Sequence, residues 1–200
     1  MLKGRIIGVD VDLTVVRSDI GWYDWCNAAS DFKHLPDDGV IRPYNFTKLY
    51  PDLEVDYILH YWRRADVYDN MAPIDGCVEA LRRLAEHNDI VFVSTIKGNH
   101  HKSKVEFLKR NFPFMSGFLA TKEKHYAGVD VMIDDRVDIL NKVYCAGKQA
   151  VVVNTPYDQS ESSAADFVVL NSWDAADVED MASKLVYERM SSCNTSALCQ

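Results

Sequence analysis

Two aspartates close an apolar run near the start of the chain. The run is IIGVDVDLTVV, residues 6–16, with Asp10 and Asp12 where a buried strand would end and Thr14 just beyond. Charges in such a place cost several kcal/mol each unless something compensates them. Three further groups stand at the ends of similar runs. VFVSTIKG carries Ser94 and Thr95, VDVMIDDR carries Asp134 and Asp135, and Lys124 precedes the second of these runs. These residue types suit the chemistry of a phosphate ester. Carboxylates hold a hard cation such as Mg2+ through oxygen. A hydroxyl and an ammonium neutralise phosphate oxygens, and one remaining carboxylate can attack phosphorus.

The runs that carry these groups alternate with helical patterns. Strands are expected over 5–12, 89–95, 117–121, 129–134, 149–154 and 167–170. Between them, Val78, Leu81, Leu84 and Ala85 share one helical face, as do Val105 with Leu108, and Val137 with Leu140 and Tyr144. Such alternation builds βαβ units, hence an α/β fold with a doubly wound, Rossmann-like parallel sheet. Ligands of open α/β sheets bind beyond the carboxyl ends of the strands. The segment 18–71 breaks the pattern. It is rich in aromatics and has no strong strand, but Val55, Ile58, Leu59 and Trp62 mark an amphipathic helix. We read it as a small helical cap inserted after the first strand. The core is then 1–17 and 72–190, the cap 18–71, and 191–200 a small polar tail expected to be disordered.

Composition narrows the partners. The chain has 200 residues, 48% of them hydrophobic, enough for one domain with a modest insertion. Lys+Arg of 22 against Asp+Glu of 30 gives a net charge of −8, and no basic run stands out. A stable nucleic-acid complex is therefore not expected, although a small anion can bind where the site brings its own positive charge. There is no run of about 18 apolar residues for a membrane span. MLKGRIIGVD lacks the apolar stretch of a secretory signal, so a cytoplasmic location is expected. The cysteines, Cys26, Cys77, Cys145, Cys193 and Cys199, show no CxxC pairing and read as reduced thiols.

The strand-end motifs together resemble those of the haloacid dehalogenase-like (HAD) phosphatases. DVDLT is similar to that superfamily's first motif, the run ending in Ser94 to the second, Lys124 to the third and IDDR to the fourth, in the same order. STIK, KVEFLKRNF, ATKEK with VDVMIDDR, and NSWDAADV further resemble the 5′(3′)-deoxyribonucleotidases, which dephosphorylate deoxynucleoside monophosphates. The place and approximate size of the insertion also match that family's cap. Where the family usually has a small residue such as Gly after the second aspartate, this chain has Leu13.

The resemblance implies roles. Asp10 would be the nucleophile and Asp12 the general acid and base. Mg2+ would be held by Asp10, the backbone carbonyl of Asp12, and Asp135. Ser94, Thr95 and Lys124 would bind the phosphate, with Lys124 preferred to Lys122 on family spacing, and Lys97 would contact the substrate. Asp134 would orient Lys124 or a water ligand. A second acid at position 12 fits a phosphatase better than the superfamily's phosphoryl-transfer ATPases, which carry Thr there. The partner would be a small nucleoside monophosphate. Relatives are commonly dimers, which makes a homodimer a candidate assembly.

Other readings stay open. A phosphatase acting on another small phosphoester, or on a polynucleotide 3′-phosphate end, would use the same groups. A non-catalytic nucleotide-binding or interaction protein on a HAD scaffold would need them less. The NHH at 99–101 is expected to be a solvated helix start rather than a metal site. The insertion's aromatics divide between packing the cap and stacking on a base. Tyr44, Asn45 and Phe46 are the leading base contacts, since Asn45 could also read a base edge.

Overall fold

The computed structural model describes residues 2–36, 38–158 and 163–191. The expected disordered tail lies outside them apart from Ser191. The chain runs β1 (Ile6–Val9), α1 (Ser18–Ala29), β2 (Arg42–Pro43), α2 (Val55–His60), α3 (Cys77–Ala85), β3 (Asp89–Ser94), α4 (His101–Asn111) and β4 (Gly117–Ala120). It continues with β5 (Val131–Asp134), α5 (Val137–Cys145), β6 (Gln149–Val153), β7 (Tyr157–Asp158), β8 (Val168–Leu170) and α6 (Ala175–Ser191). Short 3-10 turns lie at Phe46–Lys48, Tyr61–Arg63 and Lys124–Tyr126.

Six strands form one parallel sheet in the order β4-β3-β1-β5-β6-β8. Its central strands are nearly continuous apolar runs because both faces are covered. Successive side chains point to opposite faces. Ile7, Val9, Ile90, Phe92, Val131 and Ile133 enter a core shared with α3, α4 and α6. Val93, Met132 and Ala150 enter another shared with α5. The chain moves outward from β1 through β3 to β4, then returns to the other side of β1 at β5. That reversal opens a crevice at the carboxyl ends of these strands. Asp10, Ser94 and Asp134 stand there.

β1 stops at Val9 rather than continuing to Asp12. After Asp10 the backbone turns back on itself: Asp12 bridges Val16, and the Leu13 N–H donates to the Val16 carbonyl at 2.9 Å. Leu13 takes φ 58°, the one positive φ outside glycine among the described residues. A left-handed conformation costs a side-chain-bearing residue roughly 1–2 kcal/mol, so neighbouring contacts must hold it.

The insertion folds on its own small core of Tyr23, Cys26, Phe46, Tyr50 and Ile58, joined by Tyr157. Tyr157 comes from β7, outside the insertion, and β7 pairs in parallel with β2 of the cap. The Tyr157 hydroxyl donates to the buried Asp19 at 2.6 Å. The cap is therefore tied down at β7 as well as at its two connections. A further approach occurs at Gly98, where a Cβ would lie 2.7 Å from both Arg63 Cα and the Trp62 carbonyl oxygen. In α2, Ile58 is buried while Val55 and Leu59 are exposed. The expected apolar face is narrower because so short a helix offers the cap core about one turn. Cys26, Cys77 and Cys145 are free thiols. No helix among the described residues is long and apolar enough to cross a membrane.

Candidate active site

The end of β1 meets the end of β5 through the bond from the Asp10 N–H to the Ile133 carbonyl, 2.9 Å long. This register sets Asp10 beside Asp134 and Asp135. Oxygens of the three buried carboxylates lie within 4.8 Å of one another. The Lys124 ammonium, itself buried, stands 2.7 Å from Asp10 Oδ1 and 2.7 Å from Asp134 Oδ2. Burial opposes its charge, but Asp10 and Asp134 raise its pKa above the ordinary lysine value. Asp134 Oδ1 accepts from the Arg136 backbone N–H at 3.0 Å, so both oxygens of this carboxylate are bonded to protein groups.

Burial raises the Asp134 carboxyl to about 6, against the pull of Lys124. Burial, and then the charges of Asp134 and Asp10, push Asp135 well above the usual carboxylate range. Asp134 and Asp135, this close and this dry, are both fully charged only beside a cation. Oxygen donors of this kind suit a hard divalent ion such as Mg2+.

Asp12 faces the other way. Its Oδ2 lies 2.8 Å from the Lys104 ammonium, and its Oδ1 accepts from the Tyr68 hydroxyl at 2.6 Å. Lys104 also donates to Ser94 Oγ at 2.9 Å and to the Thr95 carbonyl at 3.3 Å, with the Tyr68 ring 4.9 Å away. The lysine is completely enclosed. Burial works against ionisation of Asp12, yet Lys104, aided by Tyr68 and Ser18, holds its pKa below the usual value. The crevice thus has two halves: Lys124 serves Asp10 and Asp134, and Lys104 joins Asp12 to Ser94. Sequence reasoning missed Lys104 and Tyr68. A signal for Lys104 existed, because Ser103, Lys104, Phe107 and Leu108 form the buried face of α4. A lysine on an apolar stripe needs a partner.

The cap contributes unevenly. The Tyr44 hydroxyl donates to Asp135 Oδ2 at 3.1 Å, and the Arg136 guanidinium lies over its ring at 5.7 Å. Phe46, expected to contact a base, is instead 2% exposed. It stacks on Trp22 at 4.4 Å and touches Tyr23 and Tyr157, so no ring face is open to a base. Asn45 is exposed, and its side-chain carbonyl caps the following turn through Thr47. Thr95 is half-buried and donates to the Thr121 carbonyl at 3.3 Å. Lys97 is on the surface; desolvation of its ammonium and the nearby Arg136 lower its pKa, against the attraction of Asp12. In NHH, His100 is buried rather than solvated. Its Nδ1–H donates to the Trp62 carbonyl at 2.7 Å, because the cap packs over the start of α4.

Comparison with known proteins narrows what this constellation belongs to. Residues 5–188 match the family model described as 5′ nucleotidase, deoxy (pyrimidine), cytosolic type C protein. The chain belongs to this family. Its fold is that of the HAD hydrolases. A HAD-like hydrolase, SP0104 from Streptococcus pneumoniae, is similar at a TM-score of 0.59 and 15% identity, covering 92% of this chain and 98% of that one. The HAD-hydrolase YfnB from Bacillus subtilis, described as bound to magnesium, gives 0.57 and 12%, covering 92% and 99%. A HAD-like hydrolase from Xanthomonas campestris gives 0.58 and 14%, covering 92% and 99%. No curated protein matches the chain. Family and fold together make it a HAD-superfamily phosphatase.

Proposed function

We propose that the enzyme hydrolyses nucleoside or deoxynucleoside monophosphates to nucleoside and phosphate, with Asp10 as nucleophile and Mg2+ as cofactor. The observation that carries this reading is the division of the crevice between two lysine–aspartate pairs, each built on a buried lysine. Asp10 is held by Lys124 on one side, and Asp12 is held by Lys104 beside Ser94 on the other. An Asp10 oxygen attacks phosphorus in line as the bond to the nucleoside oxygen breaks; Asp12, ionised beside Lys104, takes the proton of the monoanionic ester as it binds and passes it to that oxygen. Asp12 then takes a proton from the water that attacks the phosphoryl group on Asp10, releasing phosphate and restoring the carboxylate. Ser94, Thr95 and Lys124 receive the phosphoryl oxygens, and Asp134 keeps Lys124 in place. Asp10, Asp135 and the Asp12 carbonyl would hold the metal, which when bound neutralises charge so that a carboxylate can approach an anionic phosphate.

The family description supports a nucleotide substrate and a cytosolic setting. We assign the sugar and base contacts to Lys97 and Asn45, which are exposed, and to Tyr44, whose hydroxyl donates to Asp135 from the cap. A phosphate-release screen tests the proposal, run with Mg2+ over the 5′- and 3′-monophosphates of all bases, both sugars, and common sugar phosphates. Preferred release from nucleotides, abolished in Asp10→Asn, is the expected result. Preferred release from a sugar phosphate would replace the substrate class, and release that survives Asp10→Asn would overturn the mechanism.

A further inference from the structure

Leu13 links the turn that carries the two aspartates to the cap. It follows Asp12 directly, and its backbone closes the turn through the 2.9 Å bond to the Val16 carbonyl. Its side chain is half-buried against the cap core, the same cluster that Trp22 and Tyr44 border. Its φ of 58° is a conformation that glycine adopts freely and leucine does not. Backbone alone would favour glycine here. What leucine adds is a branched apolar side chain at the seam between the acid's turn and the cap. Outliers of this kind persist where surrounding contacts hold them and often sit at functional sites.

We infer that Leu13 is a specificity-determining residue that limits the bulk of the leaving group. The inference rests on the proposed roles of Asp10 and Asp12. With phosphorus in line with Asp10 and the leaving oxygen within reach of Asp12, the rest of the leaving group must project past the turn into the seam beneath the cap. The Leu13 side chain, half-buried and packed on the cap core, borders that seam. A smaller residue enlarges the space beneath the cap and removes none of the carboxylates, Lys104, Lys124 or Ser94.

The test compares the full-length wild type with Leu13→Gly and Leu13→Ala. The kcat/KM is measured for deoxyguanosine, thymidine and p-nitrophenyl monophosphates. Ratios between substrates within one preparation cancel any difference in the folded fraction. Glycine relieves the backbone and removes the side chain; alanine removes most of the side chain and keeps the backbone strained. Both variants are expected to raise the ratio of purine nucleotide to p-nitrophenyl phosphate by roughly 10-fold, the scale on which apolar pockets discriminate by size. Unchanged ratios in both variants overturn the inference. A rise in Leu13→Gly alone also overturns it, because backbone relief rather than side-chain bulk would then be responsible. A fall in the nucleotide ratios makes Leu13 a favourable contact instead of a limit. If the wild type releases phosphate from none of these esters, the proposed function fails first.

Discussion

Replacing Lys104 by methionine keeps the length of the side chain and removes its charge. The ammonium is fully enclosed, whereas the Asp12 carboxylate it faces is 27% exposed. Breaking a wholly buried pair costs about 3–5 kcal/mol, and losing a hydrogen bond to a charged group about 1.5–3. Partial access of Asp12 to water places Lys104→Met at the junction of these ranges, about 2–3 kcal/mol. For a chain of this size that corresponds to a fall in Tm of roughly 5–10 °C. The catalytic effect should depend on the leaving group. A nucleoside oxygen leaves as a poor anion and needs the proton from Asp12, a contribution of about 10²–10⁴-fold. p-Nitrophenolate leaves readily without it. Without Lys104 the Asp12 pKa rises, but only the Tyr68 hydroxyl is left to position the carboxyl, so the misplaced acid should reduce kcat on a nucleoside monophosphate at least ~10-fold more than kcat on p-nitrophenyl phosphate. Thermal unfolding and parallel phosphate-release assays measure the two effects. An unchanged Tm together with equal losses on both substrates would refute the assignment of Lys104 to the acid's half of the crevice.

Three other predictions follow from the same structure. Phe46→Ala should destabilise the fold by about 3–5 kcal/mol while leaving the ratio of nucleotide to p-nitrophenyl phosphate activity unchanged; a loss confined to the nucleotide would make the ring a base contact. Burial, and then Lys104, lowers the His100 pKa below its ordinary value. The unfolded chain therefore takes up the proton first as pH falls below about 6.5, so this stability is fully present above that pH and is lost as pH falls towards the folded value. In chelator, the stability of His100→Gln relative to wild type should rise as pH drops from 7 to 5, and a flat difference would contradict the burial of a neutral imidazole. After chelation, Mg2+ should restore turnover and Ca2+ should not, because the larger ion prefers more ligands and longer bonds; equal rates in the two ions would count against an octahedral site built on Asp10 and Asp135.

The parts legible in the sequence were those where one residue type has one plausible use. Central parallel strands read as apolar runs because helices cover both faces, and Asp10, Ser94 and Asp134 could be placed at their ends from that pattern alone. The exact end of β1 was hidden because the left-handed turn at Leu13 follows from tertiary contacts. Phe46 misled because a phenyl ring serves equally well for stacking on a base and for filling a core. Helix α1 went unrecognised because its buried residues include Ser18 and Asp19, polar groups whose burial depends on distant partners such as Tyr157. The β2–β7 pair is only two residues long on each side, too short to leave a periodic signal. His100 is covered by a cap turn far away in the chain, and the partner that Lys104 needs on the apolar stripe of α4, Asp12, is 92 residues distant.

The most direct measurement is to identify the phosphorylated residue during turnover. Wild-type enzyme and a preferred nucleoside monophosphate are mixed with Mg2+, quenched in acid within the first turnover, and digested for peptide mass analysis. The prediction is a phosphoryl group on Asp10, absent from Asp10→Asn, whose turnover should fall by at least ~10³-fold. Phosphate attached to a different residue, or turnover in Asp10→Asn above a tenth of the wild-type rate, would contradict it.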